Sequence, residues 1–302
     1  MSNVKEMDVQ QSLHYKLREQ TPYFLNKEQH EFYVRNGWVK IENVIEESEI
    51  NDFLNTYNRI TKLDGFELTE QFLNTGCMVN PELRQLTSDV INRNVKTILP
   101  RLFDMDKVEM HTGGSFVIKP VSKESALEIH QDSSFIDEEK YYSLFMWVPF
   151  CDVNEENGHL SVLPGSHLWG STQRGFGVPW NLAKHIGLMK NYMLPVYANK
   201  GDIILFDPAL VHASAPNLSN ETRHAITITV APKNPELIYY YKDDKMPAGD
   251  IEKYYVSEDF FKTYDFASKP DETVWRKEVV PYKSFDLCEE KMLALIEANL
   301  PE

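Results

Sequence analysis

Between Glu47 and Lys62, apolar side chains fall at Ile50, Phe53, Leu54, Tyr57 and Ile60, the spacing of one helical face. The same stripe returns from Pro81 to Leu99, through Leu83, Leu86, Val90, Ile91, Val95 and Ile98. Ahead of both, Asn26 stands where its side chain can accept from the first free amides of a helix. Gln29 takes the capping-box position and Gly37 suits the helix end. Trp38-Val39-Lys40-Ile41 then alternates like a strand. Stripes of this kind predict helices that bury one face in a core. Residues 1–22 are polar and read as a loosely attached arm.

After Pro100 the chain breaks into short β-rich runs: Ser115–Lys119, Ala126–His130, Tyr142–Phe150, Leu160–Leu163, Tyr192–Ala198, Asp202–Phe206 and Ala225–Ala231. Pro120, Asn157-Gly158, Pro164-Gly165 and Lys200-Gly201-Asp202 punctuate them as turns. Many short strands divided in this way predict a sandwich or barrel. A last helix is expected from Phe285 to Ala298. The expected architecture is mainly β: a jelly roll with flanking N-terminal and C-terminal helices. It forms one domain over residues 1–302, with a mainly helical flank at 23–110, a core at 111–235 interrupted by an insertion at 168–193, and a C-terminal extension at 236–302.

The formal net charge of −15 repels nucleic acid and anionic membranes, so neither is expected as a partner. The three cysteines, Cys77, Cys151 and Cys288, form no Cys-x-x-Cys pair, which argues against a disulfide framework or a zinc ribbon. Met1-Ser2-Asn3-Val4-Lys5-Glu6 lacks the apolar core of a signal peptide. No apolar run approaches the roughly 18–20 residues that span a bilayer. The expected location is cytoplasmic; oligomeric state is not legible.

Candidate chemistry centres on His130-Gln131-Asp132. On a strand, residues two apart share a face, so an imidazole and a carboxylate converge there. His212, in the apolar stretch Leu210–Ser214, can supply a third ligand from a neighbouring strand. Two histidines and one carboxylate on one side of a metal leave the other side open, the ligand set of a non-haem Fe(II) oxygenase. Taken singly, each fits a blander role: a core histidine, or a turn-capping aspartate. Arg223 lies eleven residues after His212 at the start of a strand. It can pair bidentately with a carboxylate or stand as a surface charge. Ser214 can share the strand face of His212 or serve as a small turn residue. Trp147 sits in the apolar run Leu144–Val148. His111, His159, His167 and His224 are left outside the ligand set.

With these residues in place, the chain resembles the phytanoyl-CoA dioxygenase family of Fe(II)/2-oxoglutarate oxygenases, whose fold is a cupin-like double-stranded β-helix. His130-Gln131-Asp132 matches the metal motif. Asn157-Gly158-x-Leu160-x-x-x-Pro164-Gly165-Ser166-His167 matches the signature loop. Gly201-Asp202-x-x-x-Phe206, followed by His212, Ser214 and Arg223, matches the C-terminal block. The similarity is clear from about Gly114 to Pro232 and weaker in the N-terminal helices.

The resemblance implies Fe(II) on His130, Asp132 and His212. It implies 2-oxoglutarate anchored by Arg223 and Ser214 beside Trp147, with O2 as co-reactant. The implied reaction hydroxylates an unactivated C–H of a small molecule and releases succinate and CO2. Desaturation and ring closure stay open. So do a cupin-like metal enzyme without 2-oxoglutarate and a catalytically silent small-molecule-binding barrel. Substrate contacts are expected from Lys119 and Phe116 before the metal motif, from Ser133 and Phe135 after it, and from Arg174 and Trp180 in the insertion. That insertion reads as a lid over a partly polar or anionic molecule. No basic cluster suits the phosphates of coenzyme A.

Overall fold

The computed structural model describes residues 2–78, 80–264, 268–283 and 286–300, and side chains from residue 11 onward. The chain runs through α1 (Ser2–Gln20), α2 (Lys27–Asn36), β1 (Trp38–Ile41), α3 (Glu47–Ile60), β2 (Leu73–Asn74) and α4 (Pro81–Val95). Then come β3 (Val108–Lys119), β4 (Leu127–His130), β5 (Leu144–Pro149), β6 (Leu160–Val162) and β7 (Gly175–Phe176). Next are α5 (Ile186–Lys190), β8 (Leu194–Val196), β9 (Ile203–Phe206), β10 (His212–Ser214) and β11 (Arg223–Pro232). The chain ends with β12 (Ile238–Tyr241), β13 (Asp250–Tyr255), α6 (Glu258–Thr263), β14 (Arg276–Pro281) and α7 (Glu289–Glu297). Phe285, the expected start of the last helix, lies outside the described residues.

Local chemistry sets the boundaries. The Asn26 side chain accepts from the amides of Glu28 and Gln29, and Gly37 closes α2 at φ 78°, a left-handed turn that glycine adopts freely. Asn80 caps α4 on the amides of Glu82 and Leu83, with Pro81 in the first turn.

Two sheets face each other as a jelly roll. One has the strand order β1-β9-β5-β11-β3-β2 and the other β4-β10-β6-β8. Alternation along the strands of the larger sheet separates two cores. Phe116, Ile118, Met146, Val148, Ile226 and Ile228 pack outward against residues of α2, α3 and α4, including Tyr33, Phe53 and Ile91. Val117, Trp147, Ile204, Phe206 and Ala225 point inward and meet Leu160 and Val162 of the smaller sheet. A third sheet, β14-β13-β12-β7, is formed by the C-terminal extension and two residues of the insertion, which sequence patterning had not resolved. Among the described residues, no helix is long and apolar enough to cross a membrane.

The N-terminal segment is not a loose arm. It forms α1, and Arg18, 1% exposed, reaches into the protein. Its Nε and Nη2 donate to Asp207 Oδ2 at 2.9 and 2.7 Å, and Tyr33 Oη donates to the same oxygen at 2.8 Å. Asp207 Oδ1 accepts from the Ala209 amide at 2.9 Å. A buried charge is stable only when paired and hydrogen-bonded, so this cluster ties α1 and α2 to the loop between β9 and β10. Nearby, burial, reinforced by the Arg18 charge, lowers the imidazoles of His14 and His167 to about 4 and about 3.

Two outcomes follow from this cluster. Asp207→Ala strands a buried guanidinium and is expected to cost about 3–5 kcal/mol, read as a lower denaturation midpoint. An unchanged midpoint would show that α1 does not depend on the pair. Second, His14 and His167 are neutral in the fold but protonate near pH 6.5 once unfolded. Stability is therefore complete above pH 6.5 and declines as pH falls toward 4, by about 1.4 kcal/mol per pH unit for each histidine. Chemical denaturation from about pH 7 down to about pH 5 measures it, and His167→Asn should flatten the slope.

Candidate metal centre and its cavity

The pairing of β4 with β10 sets His130 directly opposite His212. Their rings lie 4.2 Å apart between centroids. Asp132, two residues past His130, turns its carboxylate between them: Oδ1 is 3.6 Å from His130 Nε2 and Oδ2 is 3.5 Å from His212 Nε2. All three ligand atoms lie within 4.8 Å of one another, close enough for one cation. Each histidine is turned by its other nitrogen. His130 Nδ1 lies 2.7 Å from the Glu128 carbonyl, and His212 Nδ1 lies 2.9 Å from that of Leu210. A carbonyl on Nδ1 keeps the proton there and leaves the Nε2 lone pair free for a metal.

Electrostatics agree with a cation at this point. Burial and neighbouring His130 hold His212 at about 4, so it is neutral at ordinary pH. Burial resists charge on His130, but Asp132 beside it overrides this and raises its pKa. Burial likewise resists charge on Asp132, and the two histidines outweigh it, keeping the carboxyl ionised. The cluster thus pairs a carboxylate with one neutral imidazole and one whose protonation that carboxylate favours.

The insertion braces this cluster. Arg174 Nε donates to the Asp132 carbonyl at 2.7 Å, while its Nη1 and Nη2 grip Glu138 at 2.8 and 2.6 Å. Trp180 Nε1 donates to Gln131 Oε1 at 2.8 Å, and Gln131 in turn donates to the Ala209 carbonyl. The Asp132 amide donates to the Pro208 carbonyl at 2.9 Å. Arg174 and Trp180, expected at the substrate, are instead bound to the backbone and side chain of the metal motif. A guanidinium 7% exposed and paired on both sides has little left for a ligand.

Two other expected contacts also fall elsewhere. Lys119 faces inward, but its Nζ is spent on the carbonyls of Ser125 and Ala215 at 2.6 and 2.7 Å. Phe116, three residues earlier, has the opposite strand parity and packs beneath the helices. Ser133 and Phe135 do line the cavity at the metal cluster.

The cavity has two lobes sharing Asn74, Cys77, Asp132, Phe145 and Thr227. One, of about 370 Å³, holds the His-Asp-His cluster together with Trp147, Ser214 and Arg223. Arg223 is 2% exposed. Its Nη1 donates to the Gly158 carbonyl at 2.7 Å, and its guanidinium carbon lies 5.0 Å from the centre of the Trp147 ring. Gly158 sits at φ 83° with no room for a Cβ against the Lys119 side chain. Arg223 forms no ion pair to any described residue, and burial lowers its pKa to about 10. Its Nε and the Ser214 hydroxyl are buried without a partner among the described residues. Buried donors left in this state call for an anion. Thr227, missed from sequence, follows Arg223 and Ala225 at two-residue intervals on β11, and that parity was the available signal.

The model of the phytanoyl-CoA dioxygenase (PhyH) family matches residues 33–225. A peroxisomal phytanoyl-CoA dioxygenase of Bos taurus is 26% identical over 277 residues, covering 83% of this chain and 80% of its own. A phytanoyl-CoA dioxygenase domain-containing protein 1 homolog of Dictyostelium discoideum is 34% identical over 136 residues, 42% of this chain. This chain spans about half the length of that relative, 48%. Among solved structures, the non-heme alpha ketoglutarate dependent carbocyclase SnoK aligns at TM-score 0.52 and 21% identity, covering 71% of this chain and 86% of its own. EctD from S. alaskensis, with 2-oxoglutarate and 5-hydroxyectoine, aligns at 0.52 and 18% identity, covering 74% and 82%. These likenesses show a shared jelly-roll fold of the cupin-like kind. By the match over residues 33–225, this chain belongs to the phytanoyl-CoA dioxygenase family.

Proposed function

We propose that the protein is an Fe(II)/2-oxoglutarate-dependent oxygenase that hydroxylates an unactivated C–H of a small molecule. One observation carries this reading: a His-Asp-His cluster shares one lobe with a buried guanidinium that has no anion among the described residues. When bound, Fe(II) supplies O2 activation coupled to conversion of 2-oxoglutarate into succinate and CO2. The remaining work falls to this chain. His212 offers a neutral Nε2, His130 would offer its Nε2 on giving up the proton that Asp132 favours, and Asp132 offers a carboxylate that offsets the charge of the cation. Arg223 and Ser214 supply charge-assisted and neutral donors for the distal carboxylate of the cosubstrate. Trp147 holds the guanidinium plane from one side. Val117, Leu160 and Phe206 give this lobe apolar walls.

A cupin-like enzyme without cosubstrate would have no use for an unpaired arginine here. A silent binding barrel would not need both imidazoles turned by backbone carbonyls.

Anaerobic titration with Fe(II) and then 2-oxoglutarate should give a weak visible charge-transfer band. His130→Ala, Asp132→Ala and His212→Ala should each abolish it. Arg223→Ala should retain metal but weaken 2-oxoglutarate by roughly 30-fold or more, the effect of removing one side of a buried charge pair. An unchanged cosubstrate affinity in Arg223→Ala would favour the cosubstrate-free enzyme. Incubation with an extract of the source cells should add one oxygen to one metabolite; loss of two hydrogens instead would indicate desaturation or ring closure.

Arg174→Ala should lower metal affinity about 10–100-fold, because the Asp132 backbone loses its brace. Equal metal affinity in a folded Arg174→Ala variant would reduce the brace to a stability feature.

A further inference from the structure

The second lobe has a chemical character of its own. It starts at Asp132 and Ser133, beside the metal cluster, and measures about 320 Å³. The C-terminal extension supplies Tyr239 from β12 and Phe261 from α6, and Phe176 of β7 stands 46% exposed at its rim. Phe135 packs edge-to-face on Phe145 at 5.6 Å and on Phe261 at 5.4 Å, which makes an apolar wall of fixed shape.

The opposite side is a β-bulge. Thr227 pairs with Ser115 and Thr229 with His111, so Thr112, Gly113 and Gly114 stand against Ile228 alone. Thr112 at φ 60° and Gly113 at φ 82° swing the strand outward. Thr112 Oγ1 and Thr229 Oγ1 hydrogen-bond to each other at 2.6 Å, which leaves the pair one further donor. The Ser115 and Thr227 hydroxyls and the Asn74 amide nitrogen make no hydrogen bond to any described residue.

The charge of the lining decides what fits. It contains no lysine, arginine or histidine, and its one carboxylate is Asp132 of the metal cluster. An anionic substrate group would give up water here without gaining a counter-charge, and a cationic one would find only the carboxylate assigned to the metal. The insertion contributes Gly175 and Phe176 to this lobe, while Arg174 is occupied by Glu138. Of the partly polar or anionic molecule expected beneath the insertion, the anionic alternative has no cation to meet it in this lobe.

We propose that this lobe takes an uncharged, ring-bearing molecule whose hydroxyl or carbonyl oxygens meet Ser115, Thr227 and Asn74. Coenzyme A thioesters and free amino acids are then not its substrates. This inference rests on the adjoining lobe being the metal and 2-oxoglutarate site.

The test separates the two claims. The Fe(II)-loaded protein is saturated with 2-oxoglutarate under argon, and the visible band reports on the oxygenase reading alone. Oestradiol, 1-tetralone, octanoyl-coenzyme A and L-arginine are then titrated separately, followed by band shift and calorimetry. At least one of the two uncharged probes should bind saturably, and at least about tenfold more tightly than either charged one. Phe135→Ala and the milder Ser115→Ala should each weaken it about five- to tenfold while the band still forms. Tighter binding of octanoyl-coenzyme A or L-arginine overturns the proposal. So does a protein that forms the band and binds none of the four, or variants that leave probe affinity unchanged.

Discussion

The site depends on one cross-strand register, that of β4 against β10. It sets His130 opposite His212, and a slip of one strand by one residue would turn its ring to the other face, away from its partner. Two strands of four and three residues are too short to fix that register alone. It is held from outside. The loop before β10 accepts from the Asp132 amide and from Gln131, and it is pinned in turn by Asp207 on Arg18 and Tyr33. On the other flank, Arg174 holds the Asp132 carbonyl. A metal site needs its ligands placed to within a fraction of an ångström, and here buried hydrogen bonds from three distant segments supply that placement.

Charge is divided along the same cavity. Arg223, without an acidic partner among the described residues, faces the metal cluster in one lobe. The other lobe presents rings, hydroxyls and an amide. The overall charge of −15 predicts neither environment, because the field in a pocket is set chiefly by the few groups that line it.

The legible parts of the sequence were those with short-range causes. The stripes of α3 and α4, the Asn26 cap and the alternating strands each depend on neighbours within a few residues, and each appears where expected. His130 and Asp132 were legible from their two-residue spacing, although β4 ends at His130 and Asp132 lies just beyond it rather than on the same strand face. His212, Ser214 and Arg223 were picked out from short strand-like stretches, with their roles supplied by a family pattern, and they meet in one lobe. The misreadings had long-range causes. Arg18 finds its acid 189 residues away, so α1 looked like a loose polar arm. Arg174 finds Glu138 36 residues back, a pairing that no local pattern signals. Lys119 faces the interior as its parity requires, but the carbonyls that consume its amine come from a turn and from the residue after β10. The third sheet escaped notice because β7 has two residues and pairs with β12 from a different part of the chain.

The most direct test is a crystal structure of the protein grown anaerobically with Mn(II) and 2-oxoglutarate, with data collected for the anomalous signal of the metal. The account predicts one strong peak bonded to His130 Nε2, His212 Nε2 and Asp132, with the far carboxylate of the cosubstrate on Arg223 and Ser214. A peak held by other residues, or a dicarboxylate that leaves Arg223 unpaired, would contradict it.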